Sequence, residues 1–174
     1  MTYNDWFFRE EDRVALASAE VVVPALTDRA WSVIDIGCGT GAWLSVAKSY
    51  GSEVFGVDGN APSDMLRIEP CEFLCADLTA GYDCSGYDLA ICLEVAEHLP
   101  PEAAEPLVEG LCGACVVLFS GATVGQQGIG HINCQPHDYW HGLFAIHGKF
   151  PEYVGGRFDE PVADFYRRNM FLYR

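Results

Sequence analysis

"VIDIGCGTGAW", residues Val33 to Trp43, decides how this chain is read. An apolar run carries Asp35 near its end, and three glycines follow at alternate positions, Gly37, Gly39 and Gly41. Glycine has no Cβ and accepts positive φ, so the pattern suits a tight turn where a ligand approaches bare backbone. The segment behind it, Ala42 to Tyr50, has helical spacing and is closed by Gly51 as a C-terminal cap. Strand, glycine turn and helix form the opening unit of an open α/β sheet.

Outward from this unit, strands and helices alternate. Glu10 to Leu26 reads as a helix with Val14, Ala17, Val21 and Val22 on its apolar face, before Pro24 interferes. Trp31 to Ile36, Glu53 to Val57, Cys71 to Cys75, Tyr87 to Leu93 and Ala114 to Phe119 read as strands. Tyr87 to Leu93 is continuously apolar, as a parallel strand covered on both faces should be. Pro101 to Leu111 and Pro136 to His147 read as helices, and Val154 to Phe158 and Met170 to Tyr173 as weaker strands. The alternation predicts a Rossmann-like, doubly wound α/β fold, its sheet mostly parallel with helices on both faces.

Half of the 174 residues are hydrophobic and a fifth are charged, which fits one globular domain and excludes a disordered chain. No apolar run approaches the ~20 residues of a membrane span, and Met1 to Arg13 is too polar and acidic for a signal peptide. The expected compartment is the cytoplasm, without membrane attachment. The net charge of −15, from 10 Lys+Arg against 25 Asp+Glu, repels phosphate backbones and disfavours nucleic acid as a partner. The eight cysteines do not have zinc-finger spacing, and reduced, mostly buried thiols account for them best. Arg167 and Arg168 fit a solvated turn before the last strand better than a contact with an anionic substrate.

In open α/β sheets, ligands bind beyond the carboxyl ends of the strands. Asp58 ends the second strand, where a carboxylate can take both hydroxyls of a ribose. Asp77, in "EFLCADL", can accept from an exocyclic adenine amine. Either aspartate alone suits a helix N-cap or a turn; together they indicate an adenosine site. Gly37, Gly39 and Ala42 also satisfy the dinucleotide fingerprint G-x-G-x-x-G/A. Asp35 weighs against that reading, because it would set negative charge beside a pyrophosphate, whereas it suits the ammonium of an amino acid.

"VIDIGCGTG" (33–41), "VFGVDGN" (54–60), "FLCADL" (73–78) and "YDLAICLEVAEHLP" (87–100) resemble the successive motifs of class I S-adenosylmethionine-dependent methyltransferases. The resemblance implies that the Gly37–Gly41 turn, with Asp35, lies against the methionine part of S-adenosylmethionine. It implies that Asp58 and Gly59 meet the ribose, that Asp77 and Leu78 border the adenine, and that Glu94 borders the cofactor. S-adenosylhomocysteine is then the product. The expected organisation is a single methyltransferase domain over 1–174: an N-terminal helical segment (1–30), a cofactor-binding core (31–120), and a substrate loop, helix and C-terminal strands (121–174). The expected reaction is O- or N-methylation of a small polar acceptor, sugar-like or a secondary metabolite. The alternatives are methylation of a protein or nucleic-acid group and a non-enzymatic S-adenosylmethionine-binding module. Oligomeric state stays open, a homodimer included.

Two segments bear on the acceptor. In "EVAEHLP", Glu94, Glu97 and His98 occupy i, i+3 and i+4, so one helical turn would gather them into a half-shell for a divalent ion. This resembles the E-x-x-E-H metal site of small-RNA 2′-O-methyltransferases and ubiquinone-pathway O-methyltransferases. The same pattern occurs in relatives without metal, where the histidine packs or hydrogen-bonds near the substrate; that metal-free reading is favoured here. The second segment, Ser120 to Phe144, is long and glycine-rich, and it resembles the "GHxN…P…YW" segment of small bacterial methyltransferases that often accompany glycan or nucleotide-sugar genes. It reads as a lid or binding loop with Gly128 and Gly130 as hinges. His131 is the expected general base, with His98 as the alternative and backbone capping as the competing role for His131. Tyr139 and Trp140 are expected in the core, and His137 and His141 are expected to matter less.

Overall fold

The computed structural model describes residues 5–26 and 32–174; Trp31, at the start of the first expected strand, lies outside them. Among the described residues, seven strands form one sheet: β1 (Ser32–Ile36), β2 (Glu53–Asp58), β3 (Phe73–Cys75), β4 (Leu89–Leu93), β5 (Val116–Ser120), β6 (Pro151–Tyr153) and β7 (Phe171–Tyr173). Their order is β3-β2-β1-β4-β5-β7-β6. The first five run parallel, while β7 pairs antiparallel with both β5 and β6. The chain therefore moves outward from β1 to β3 and then jumps back to β4 on the other side of β1. A crevice opens at that reversal, beyond the carboxyl ends of the strands.

Side chains alternate across the pleat and feed two apolar layers. Val33, Leu89 and Ile91 face α1 (Asp5–Leu26), α2 (Ala42–Ser49) and α5 (Asp164–Asn169), meeting Ala19, Val22, Leu44 and Tyr166. Ile34, Ile36, Ala90 and Cys92 face α3 (Ala104–Leu111) and α4 (His137–Ile146), meeting Leu107, Leu111, Trp140 and Phe144. Every residue of β4 is buried, as expected of a strand with helices on both faces. Trp140 packs against Phe119, and Phe144 stacks on Tyr173 with centroids 3.8 Å apart.

The local readings need several corrections. The first helix starts at Asp5 and passes Pro24 to end at Leu26; burial of Ala19, Val22 and Val23 offsets the backbone N–H that proline lacks. The third strand begins at Phe73, because Pro70 opens a 3₁₀ turn over Pro70–Glu72 in which the Glu72 carboxylate accepts from the Glu69 N–H. No strand covers 154–158. Gly155–Arg157 is a 3₁₀ turn, and Gly155 backs so closely onto the Arg167 carbonyl that a Cβ would overlap it. The strand lies earlier, at Pro151–Tyr153, and α5 stands where no helix was expected. Arg167 and Arg168 belong to α5, and both pair with Asp164 on the same helix. Among the thiols, Cys38, Cys84 and Cys92 are buried, but Cys71, Cys75 and Cys115 are exposed. Among the described residues, no helix is long and apolar enough to cross a membrane.

Candidate functional site

The turn after β1 holds three glycines in the left-handed region, with φ of 82° at Gly37, 53° at Gly39 and 81° at Gly41. They do three different things. The N–H groups of Gly37 and Cys38 donate to the Val57 carbonyl at 2.7 and 3.2 Å, fastening the turn to β2. Gly41 stands at the N-terminus of α2 and backs onto Ile68. A Cβ on Gly39 would meet nothing within 4 Å, so it would project into open space. The Gly39 N–H donates to Asp58 Oδ2 at 2.9 Å and the Asn60 N–H to Asp58 Oδ1 at 2.7 Å. Each Asp58 oxygen thus has one fixed donor and keeps acceptor capacity for a ligand.

These groups face a cavity of about 1000 Å³ in the crevice. Asp35, Gly37, Gly39, Asp58, Gly59, Asp77, Leu78, Glu94, His98 and His131 all line it; Gly41 does not. Asp35 is 3 % exposed, and burial holds its carboxyl well above the usual range, with the charge of Asp58 adding to the shift. Asp77 is exposed and accepts from the Thr79 N–H at 2.9 Å, which lowers its pKa. The wall includes Glu11 and Asp12 of α1, which the sequence reading left out. Asp12 accepts from the Thr40 hydroxyl at 2.7 Å and binds the Arg67 guanidinium through both oxygens, tying α1 over the glycine turn.

At the other end of the cavity, "EVAEH" is no single helical turn. Glu94 directly follows β4 with φ 55°, the one non-glycine residue of positive φ among the described residues, and the 3₁₀ turn begins only at Ala96. Its carboxylate accepts from Asn169 Nδ2 at 3.5 Å; the same amide donates to Gln126 Oε1 at 3.0 Å, and Asn169 Oδ1 meets His137 Nε2 at 3.4 Å. Burial raises the Glu94 pKa. Glu97 is 1 % exposed. Its backbone carbonyl accepts from the N–H groups of Ile132 and Asn133 at 2.8 and 3.0 Å, and its Oε1 accepts from the Ala122 N–H at 3.1 Å. The long loop is therefore pinned to one residue at Ala122 and again at Ile132 and Asn133, with Gly128 and Gly130 between the pins.

His131 joins this cluster from the loop. Its Nε2 lies 4.0 Å from Glu97 Oε1, and its ring stands edge-on to His98 at 5.0 Å. Ligand atoms of Glu97, His98 and His131 lie within 4.8 Å of one another, so these three, rather than Glu94, could hold a metal ion. Burial, reinforced by the neighbouring Glu94 carboxyl, pushes the Glu97 carboxyl up to about 8. Burial, and then the charge of His131, lowers the His98 pKa. The arrangement can accept a proton or bind a divalent cation. Trp140 is buried away from the cavity, and His141 bonds Tyr173 at 2.8 Å.

A family model described as a methyltransferase domain matches residues 8–105. A ubiquinone biosynthesis O-methyltransferase of Stutzerimonas stutzeri is 33% identical over 131 residues, covering 70% of this chain and 51% of that protein. The chain spans about half the length of the curated relatives it matches. Among solved structures, the sugar N-methyltransferase of a Streptoalloteichus species superposes with TM-score 0.68 at 17% identity, over 99% of this chain and 93% of that one. The magnesium protoporphyrin IX methyltransferase of Synechocystis, with bound S-adenosylhomocysteine, gives TM-score 0.63 at 19% identity, over 94% and 81%.

Proposed function

The chain belongs to the methyltransferase-domain family, and from that premise we propose that it is an S-adenosylmethionine-dependent methyltransferase acting on a small polar acceptor. One observation carries the reading: a single cavity joins the open glycine turn, Asp58 and Asp77 at one end to the Glu97–His131 cluster at the other. The residues fit the cofactor. Gly39 leaves room against the turn, and Asp35 offers a buried carboxyl to an ammonium group. Asp35, Gly37 and Gly39 would hold the amino-acid part, Asp58 and Gly59 the ribose, and Asp77 and Leu78 the adenine, with Glu94 at the border toward the acceptor. When bound, S-adenosylmethionine supplies an electrophilic sulfonium methyl.

The chain's own work is to orient the acceptor and remove its proton. His131 takes that proton at Nε2, with His98 as the alternative base. The curated relatives are named O-methyltransferases, which favours a hydroxyl, while the likeness to a sugar N-methyltransferase keeps a sugar-like amine in play. Glu11, Asp12, Asp35, Asp58, Asp77, Glu94 and Glu97 line the cavity, and no Lys or Arg does among the described residues. With no Lys or Arg on the wall to pair an anion, the cavity favours an acceptor without phosphate or carboxylate, and the net charge of −15 disfavours nucleic acid. Calorimetry should register S-adenosylmethionine and S-adenosylhomocysteine but not NAD. Binding of NAD alone would overturn the reading; cofactor binding without turnover on any hydroxyl or amine panel would leave a binding module.

A second reading rests on the spacing of Glu97, His98 and His131. One carboxylate and two imidazoles suit a divalent transition ion, which would polarise the acceptor oxygen. Turnover in excess chelator decides between a metal and an imidazole base.

A further inference from the structure

We propose that Gly128 and the Gln126 carbonyl are positioning groups that set the pose and tautomer of His131. The inference deepens the base reading above, but its test does not depend on that reading.

His131 Nδ1 lies 3.2 Å from the Gln126 carbonyl oxygen. A carbonyl only accepts, so Nδ1 carries the hydrogen and the lone pair is left on Nε2. The carbonyl is itself fixed. The Gln126 N–H donates to the Thr123 carbonyl at 3.0 Å, and its side-chain oxygen accepts from Asn169 at 3.0 Å. The Cys134 thiol stands 3.6 Å from both Nδ1 and the same carbonyl; as a weak donor it does not displace the shorter contact.

Gly128 forms the seat. A Cβ there would overlap Nε2 and Cε1 of His131 and stand 2.6 Å from Cδ2. Unlike Gly130, with φ 79°, Gly128 is not in the left-handed region. Its backbone therefore tolerates alanine, and the three atoms nearest an added Cβ all belong to the imidazole. Held by the carbonyl, Gly128 and the edge-on His98 ring, the imidazole keeps Nε2 4.0 Å from Glu97 Oε1. That gap is too long for a direct hydrogen bond, and one acceptor oxygen about 2.8 Å from each group fits between them.

The test is long-range ¹H–¹⁵N NMR of the ¹⁵N-histidine-labelled full chain at about pH 8, above the ordinary histidine range. His131 is assigned by the signal lost in His131→Gln. The wild type should show Nδ1 protonated and Nε2 bare, the opposite of the preference of a free side chain in water. Gly128→Ala should abolish that signature while S-adenosylhomocysteine affinity stays within about twofold, which also shows that the variant folds. Gly142→Ala, where an added Cβ on α4 meets nothing within 4 Å, should leave the signature intact. A wild-type His131 protonated at Nε2, or an unchanged signature in Gly128→Ala, overturns the proposal. Failure of the methyltransferase reading would instead show as absent cofactor binding with the tautomer intact.

Discussion

The two ends of the cavity are built by different means. The end proposed to hold the cofactor is backbone: strand termini, the left-handed Gly37 and Gly39, and an aspartate whose two oxygens each hold a main-chain N–H. The end proposed to receive the acceptor consists of side chains brought from far apart in sequence, Glu94, Glu97, Gln126, His131 and Asn169. Damage at the first end should weaken binding, and damage at the second should slow chemistry.

The largest effect expected is on turnover. His131→Ala should cut kcat by about a hundredfold or more, the scale of a lost general base, with cofactor affinity nearly unchanged. A large loss of affinity instead would erase the contrast between the ends. Asp58→Ala comes next. It removes the expected ribose acceptor and strands the Gly39 and Asn60 N–H groups, so cofactor binding should weaken by about 2 kcal/mol, roughly thirtyfold. Unchanged calorimetric affinity would remove the ribose assignment.

A smaller effect concerns stability. The fold raises the Glu97 carboxyl from 4.5 to about 8, chiefly by burial, so it favours the neutral form. The stability this confers is complete below about pH 4.5 and is lost as pH rises through about 8, because the unfolded chain ionises first. Glu97→Gln keeps an oxygen for the Ala122 N–H and cannot ionise. Its thermal midpoint should exceed wild type by about 3 °C or more at about pH 9 and match it near pH 5; parallel curves would contradict the assignment. The smallest effect expected is that of chelation, since activity should persist in excess EDTA. Collapse with rescue by Mg²⁺ or Mn²⁺ would make Glu97, His98 and His131 metal ligands.

The same contrast explains what the sequence could disclose. Gly37, Gly39, Asp58 and Asp77 follow strand ends at positions where turn geometry restricts the residue type, so they could be named before any coordinates. Glu97 was visible in "EVAEH", but not its hold on the loop, which works through its backbone carbonyl and leaves no trace in residue type. Asn169 gave no signal, since α5 has six residues, too few for a helical period. The mistaken strand at 154–158 rested on Val154 and Phe158 alone; between them Gly155 is required for close approach to Arg167. Gly128 was visible as a glycine and read as a hinge; the imidazole lying against it left no mark in the sequence.

The antiparallel β7 has a consequence for synthesis. It lies between β5 and β6 yet follows both in the chain, and Tyr173 within it is fully buried. On the ribosome, the β5 edge stays unpaired until residues 171–173 have cleared the exit tunnel. Asn169, which holds Glu94 and Gln126, docks at the same late moment. Among the described residues, the contacts that join Glu94, Gln126 and Asn169 are therefore completed late, after the turn that follows β1 can form.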